Sequence, residues 1–143
     1  MADSFFYKSL SNVNFSNWAS LDVRAALLMT NTTGDTDVDA EFIDDITTLD
    51  EFDGSGYSRQ ALDSEALNVD AANNRVELDA ADEVFSTLGN GTRQIAGILL
   101  YIHVTDDTDS PVVAWIDSGG FPLDPDGGDL TITWNAEGIL QGS

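Results

Sequence analysis

Three apolar runs decide the fold: IAGILLYIHV at residues 95–104, PVVAWID at residues 111–117 and DLTITWN at residues 129–135. Each has the length of a strand and is rich in β-branched and aromatic side chains. Asp, Gly, Asn or Pro bounds each of them. Between them lie DDTDS and SGGFPLDPDGG, which carry the Asp, Gly and Pro chemistry of turns and loops. The C-terminal half therefore reads as antiparallel β structure.

Working toward the N-terminus, RVELD at residues 75–79 alternates cleanly and places Val76 and Leu78 on one face. Ala71-Ala72-Asn73-Asn74 reads as a turn, since Asn tolerates left-handed backbone angles. Residues 57–69 alternate imperfectly and are expected as one long bent strand. Residues 22–30 read as a first core strand, and Val84-Phe85 as a further short apolar piece. In residues 41–52 (EFIDDITTLDEF), Phe42, Ile46 and Leu49 are spaced as one face of a short helix, which Gly54 and Gly56 end. Seven to nine strands without an internal repeat predict an all-β, antiparallel β-sandwich of jelly-roll or Ig-like type, with an open barrel as the alternative. Val76, Leu78, Ile98, Leu100, Ile102, Val113, Trp115, Ile132 and Trp134 are expected to point inward.

Residues 1–20 differ in texture. Phe5, Phe6, Tyr7, Leu10, Val13, Phe15 and Trp18 lie among Ser and Asn with neither a sustained period 2 nor 3.6. Such a segment suggests an N-terminal arm lying on its own sandwich or on a neighbour, ahead of a sandwich domain at residues 21–143. The five aromatic residues are the candidate partner-binding residues, and the sandwich is expected to fold without them.

The chain has 143 residues, enough for one domain with a core of its own. It has no cysteine, which excludes disulfides and thiolate metal sites. The longest uncharged apolar run is about half a membrane span, so no membrane association is expected. MADSFFYKSL lacks the basic and apolar regions of a signal peptide, and synthesis in a cytoplasm is expected. Twenty-six acidic residues face five basic ones, giving a net charge of −21. Such a surface repels nucleic acid, whose binding needs Lys and Arg to displace counterions. The acids are spread through the turns rather than gathered in a tail. That pattern fits solubility, a saline environment whose ions screen the repulsion, or a less acidic partner.

Catalytic signals are weak. His103 is the sole histidine and lies in the most apolar run, without a G-x-S-x-G nucleophile. It reads as partly buried or on the outer face of the sheet. Asp35, Asp37 and Asp39 have the opening spacing of an EF-hand loop, but Ala40 and Ile46 stand where Gly and Glu are needed. Asp106, Asp107 and Asp109 form a second cluster, and Asp124, Asp126 and Asp129 a third. Trp115 and Trp134 read as core or inter-subunit packing, and Trp18 as freer. No catalytic residue, metal ligand or cofactor site is assigned, and the chain is not expected to be an enzyme.

The series LLMTNT, GSGYSRQAL, NVDAANNRVELDAADEVFSTL, IAGILLYIHV, SPVVAWID and GGDLTITWNAEGIL, over roughly residues 21–141, resembles small structural proteins of tailed bacteriophages. Its most specific parts are residues 54–57 and 130–140. The chain departs from that pattern in its acidity and in the Asp-rich residues 35–53. The resemblance implies a virion component without catalytic residues. The leading expectation is a capsid decoration or cement protein in the virion, bound to the major capsid protein and forming a dimer or trimer. A tail, neck or fibre-associated structural protein is the alternative. A carbohydrate-binding module using the tryptophans is the alternative of another class.

Overall fold

The computed structural model describes residues 3–142. Among these residues, ten strands form three antiparallel sheets in a sandwich-like, all-β arrangement. The central sheet has the order β1-β8-β7-β2-β3 and is built from β1 (Ser4–Phe5), β2 (Val23–Met29), β3 (Gln60–Ala61), β7 (Ile95–Ile102) and β8 (Val112–Ile116). Strands β4 (Ala66–Asp70), β5 (Arg75–Asp79) and β10 (Leu140–Gly142) form a second sheet, and β6 (Glu83–Phe85) pairs with β9 (Leu130–Ile132) in a third. Both small sheets lie on the same side of the central one, where Leu78, Phe85, Ile132 and Trp134 join a core with Leu27, Ile98 and Leu100.

The continuous apolar runs mark a central sheet buried on both faces. Ala26, Leu28, Leu99, Tyr101 and Trp115 point to the second face, where they meet Phe6, Ala40, Ile43 and Ile46. Residues 30–52 cover that face as a strap, tied down by Phe52 N–H to the Leu27 carbonyl (2.9 Å) and Val112 N–H to the Glu41 carbonyl (3.1 Å). A β-bulge sorts the side chains of β8. Leu100 faces Ala114 but Tyr101 faces Val112, so Val113 is the extra residue. Val113 and Ala114 therefore enter the first core and Trp115 the second, so Val113 and Trp115 are both buried but on opposite faces. Of the nine residues expected inward, eight are buried and Val76 is half-buried.

Two expectations are corrected. Residues 41–52 do not form an amphipathic helix, since only Ile43–Asp45 makes a 3₁₀ turn. The Asp45 carboxylate accepts the N–H groups of Glu41 and Phe42, and Asp37 and Thr33 side chains accept those of Thr47 and Thr48. These bonds hold the backbone out of the helix. Residues 57–69 do not form one strand: β3 joins the central sheet and β4 the second, with Ser64 at φ 57° between them. Residues 3–20 lie on the chain's own sandwich, one of the two placements left open for the arm. They form β1, a short helix α1 (Ser9–Asn12) and a 3₁₀ segment (Phe15–Ser20) folded against the sandwich. Residues 1, 2 and 143 of the expected arm and domain lie outside the described residues.

Candidate partner-binding surface

The second sheet is amphipathic by strand alternation. Leu67 pairs with Leu78, Val69 with Val76, and Leu140 with Leu78, which sets these apolar side chains on one face. Asp70, Arg75, Glu77 and Asp79 carry the polar chemistry. The apolar face is covered only at its base. Leu78 is buried, Val76 is half-buried, and Val69 at the outer end is 72 % exposed. Opposite it stand Phe5, Leu10 and Phe15 of the N-terminal segment, with Leu10 69 % exposed. Between the two walls runs a groove of about 340 Å³ lined by no charged residue. It continues past Ser4 and Leu140 into a cleft of about 540 Å³ between residues 118–123 and the β9–β10 edge.

The five aromatic candidates divide. Phe5 and Phe15 line the groove, with ring centroids 5.9 Å apart. Tyr7 is 55 % exposed but stands outside the groove lining. Phe6 and Trp18 are fully buried in the chain's own two cores, which corrects the expectation that they reach a partner. Phe6 N–H donates to the Val113 carbonyl (3.0 Å), and the Trp18 indole N–H to the Asp79 carbonyl (2.9 Å). Leu10 also lines the groove; it stood among the apolar residues of the N-terminal segment but outside the aromatic candidates. Val69, at the outer end of the facing sheet, stands like Tyr7 outside the groove lining.

All three tryptophans are buried and bonded internally. The indole N–H of Trp115 donates to Asp117 (3.1 Å) and that of Trp134 to the Ala81 carbonyl (2.9 Å). None is free to stack on a sugar, and Trp18 is not the freer one. His103 lies just beyond β7, half-buried, its backbone N–H donating to the Asp22 carbonyl.

The Asp clusters are turn chemistry. Asp109 accepts the N–H groups of Thr105 and Asp106, Asp106 those of Thr108, and Asp126 that of Gly128. Asp107 instead points to Arg59. Among the described residues, no three carboxylate or imidazole groups converge as a metal site. Also among them, no helix is long and apolar enough to cross a membrane.

Arg59 carries the densest polar network. Its guanidinium donates to Glu51 (both bonds 2.8 Å) and to Asp107 (2.6 and 3.0 Å), and lies 5.4 Å from the Tyr101 ring centroid. Tyr57 donates its hydroxyl to the same Glu51 (2.6 Å) and accepts the Leu27 N–H. The bonds to Glu51 and Asp107 raise the Arg59 pKa, and the same pairing holds Asp107 below the usual carboxylate range. Burial, then the Glu51 charge, pushes the Tyr57 phenol up. With both carboxylates engaged by one guanidinium, the network ties residues 50–59 to the 103–110 turn and offers no free base or nucleophile.

No protein-family model, curated protein or solved structure matches the chain.

Proposed function

We propose that this chain is an assembly protein without turnover: a decoration or cement protein of a tailed-phage capsid, seated on the major capsid protein through the groove. The observation that carries the reading is a charge-free apolar groove on a chain with net charge −21. Exposed apolar surface that a soluble body leaves open marks an interaction site. The sequence resemblance to small phage structural proteins supplies the kind of partner. Many copies, each held weakly, would stabilise a shell through avidity.

The test is decoration of purified particles that lack the protein, read as occupancy by cryo-EM and by gel densitometry. Wild-type protein is expected at the repeating positions of the capsid lattice, and Leu10→Asp with Val69→Asp at strongly reduced occupancy. Wild-type protein found only at the neck or tail would overturn the capsid assignment. Full occupancy by the double variant would overturn the groove as the contact.

A further inference from the structure

The groove is bordered by an unpaired sheet edge. Strand β10 pairs with β5 on one side, and among the described residues no strand pairs with its other side. In an antiparallel pair, alternate backbone N–H and C=O groups of an edge strand point away from its partner. Leu140 and Gln141 of β10 line both the groove and its continuation. The facing wall is β1, itself the edge of the central sheet. Two open edges flanking an apolar slot fit an extended segment, whose backbone pairs with β10 while alternate side chains enter the slot.

Charge selects the occupant. The slot itself is uncharged, but both ends carry excess carboxylate. Asp3 stands at one end. At the other, Val76 and Gly142 adjoin Asp70 and Arg75, whose guanidinium on the opposite face of the sheet is outnumbered by three acids: Asp70 at 3.3 Å, Glu77 at 2.8 Å and Glu137 at 3.4 Å. A second copy would bring another 21 negative charges to this surface. From these observations, together with the reading of the groove as a docking surface, we infer that it binds an extended apolar segment of a different protein. That segment carries Lys or Arg on both flanks and adds as a strand to β10.

The probe is the synthetic peptide Lys-Lys-Val-Thr-Val-Thr-Val-Lys-Lys, labelled and titrated with the full chain by fluorescence anisotropy at low salt. Two further peptides replace the four lysines by glutamates or N-methylate alternate backbone nitrogens. The lysine peptide is expected to bind. The glutamate and N-methylated forms are expected to bind about tenfold more weakly or worse, and Leu10→Asp, which puts a carboxylate into the groove wall, to lose binding by a similar factor. Leu10 is 69 % exposed, so the variant keeps its fold, which circular dichroism checks. Equal binding of the glutamate peptide would overturn the charge rule, and equal binding of the N-methylated one would overturn strand addition. A self-association that Leu10→Asp abolishes would give the groove to a second copy instead. Protein that decorates capsids but ignores all three peptides overturns this inference and leaves the capsid reading standing. Peptide binding by protein absent from particles does the reverse.

Discussion

Replacing Trp18 by Ala is expected to remove much of the stability of the whole domain, although residue 18 sits in a segment without sequence periodicity. The indole is fully buried in the first core, lies 6.4 Å from the Phe15 ring, and donates to the Asp79 carbonyl at 2.9 Å. Truncating a buried Trp to Ala costs about 3–5 kcal/mol. Domains of this size hold about 5–15 kcal/mol in all. With a urea dependence near ~2 kcal/mol/M, the midpoint should fall by roughly 2 M. Trp18→Phe keeps most of the apolar volume but leaves the Asp79 carbonyl unpaired, so about 1–2 kcal/mol is expected. Tyr7→Ala is the control: the ring is 55 % exposed, and its loss should stay within about 0.5 kcal/mol. The assay is urea unfolding followed by far-UV circular dichroism, which does not depend on the tryptophan removed. Deleting residues 1–20 removes Phe6 and Val13 as well and should leave no cooperative transition. If Trp18→Ala unfolded at the same urea concentration as Tyr7→Ala, the N-terminal segment would not belong to the core, and the deletion should then fold.

Arg59→Met is expected to lower stability by about 1–3 kcal/mol, a figure reduced for the partial exposure of Glu51 and Asp107, as read by thermal unfolding. Gly97→Ala should destabilise more than a typical surface change, because an added Cβ would lie 2.6 Å from both the Ile116 carbonyl oxygen and the Trp115 ring; a neutral result would show that the Trp115 indole can move. Hydrogen bonds from Arg24, Thr33 and Arg59 hold Asp22, Asp37 and Asp107 respectively below the ordinary value of 3.8. A carboxylate lowered in the folded state stabilises above its unfolded value and loses that contribution as pH falls through the folded one. Acid unfolding should therefore set in below about pH 4, and Asp107→Asn should flatten that limb. Burial raises Glu83, which works in the opposite sense and favours the folded state as pH drops toward the carboxylate range. With a charge of −21, the melting temperature should climb as NaCl rises from about 10 mM to about 1 M, while the Debye length falls from ~30 Å to ~3 Å.

The strands were legible where local chemistry and tertiary demand agree. IAGILLYI gave β7, RVELD gave β5, and the turn at Asn73-Asn74 has Asn74 at φ 54° as its residue type allows. What stayed hidden was set by partners distant in sequence. A continuous apolar run announces burial on two faces but does not say what covers the second. Here the cover is a 3₁₀ turn whose backbone is satisfied by Thr33, Asp37 and Asp45, so a helical spacing of Phe42, Ile46 and Leu49 misled. The bulge at Val113 was equally invisible, because it is a mismatch between β7 and β8 and not a property of either. Of the candidate surface, Phe5 and Phe15 were found from composition. Phe6 and Trp18 carried the same signal but serve the cores, since an aromatic ring does not reveal whether its contacts lie within the chain. The Arg59 network joins residues 48 positions apart and left no local pattern.

The placement of the acids bears on why the groove is the exception. Many aspartates answer a local backbone demand: Asp129 accepts the Thr87 N–H, Asp53 the Thr92 N–H, and Asp50 both the Asn31 N–H and the Arg93 guanidinium. Asn can accept the same backbone bonds at such turns, so turn chemistry alone does not require the negative charge. The charge is an additional property, and its distribution is uneven. Acids decorate the strap and the loops, whereas Phe5, Leu10, Phe15, Leu67, Val76 and Leu140 line a slot with none. Keeping one apolar surface free of carboxylates while the rest of the chain is highly acidic has two physical effects. Mutual repulsion discourages copies from meeting through random faces. A segment docking in that slot, as proposed, would carry no carboxylate of the slot lining into a low-dielectric contact.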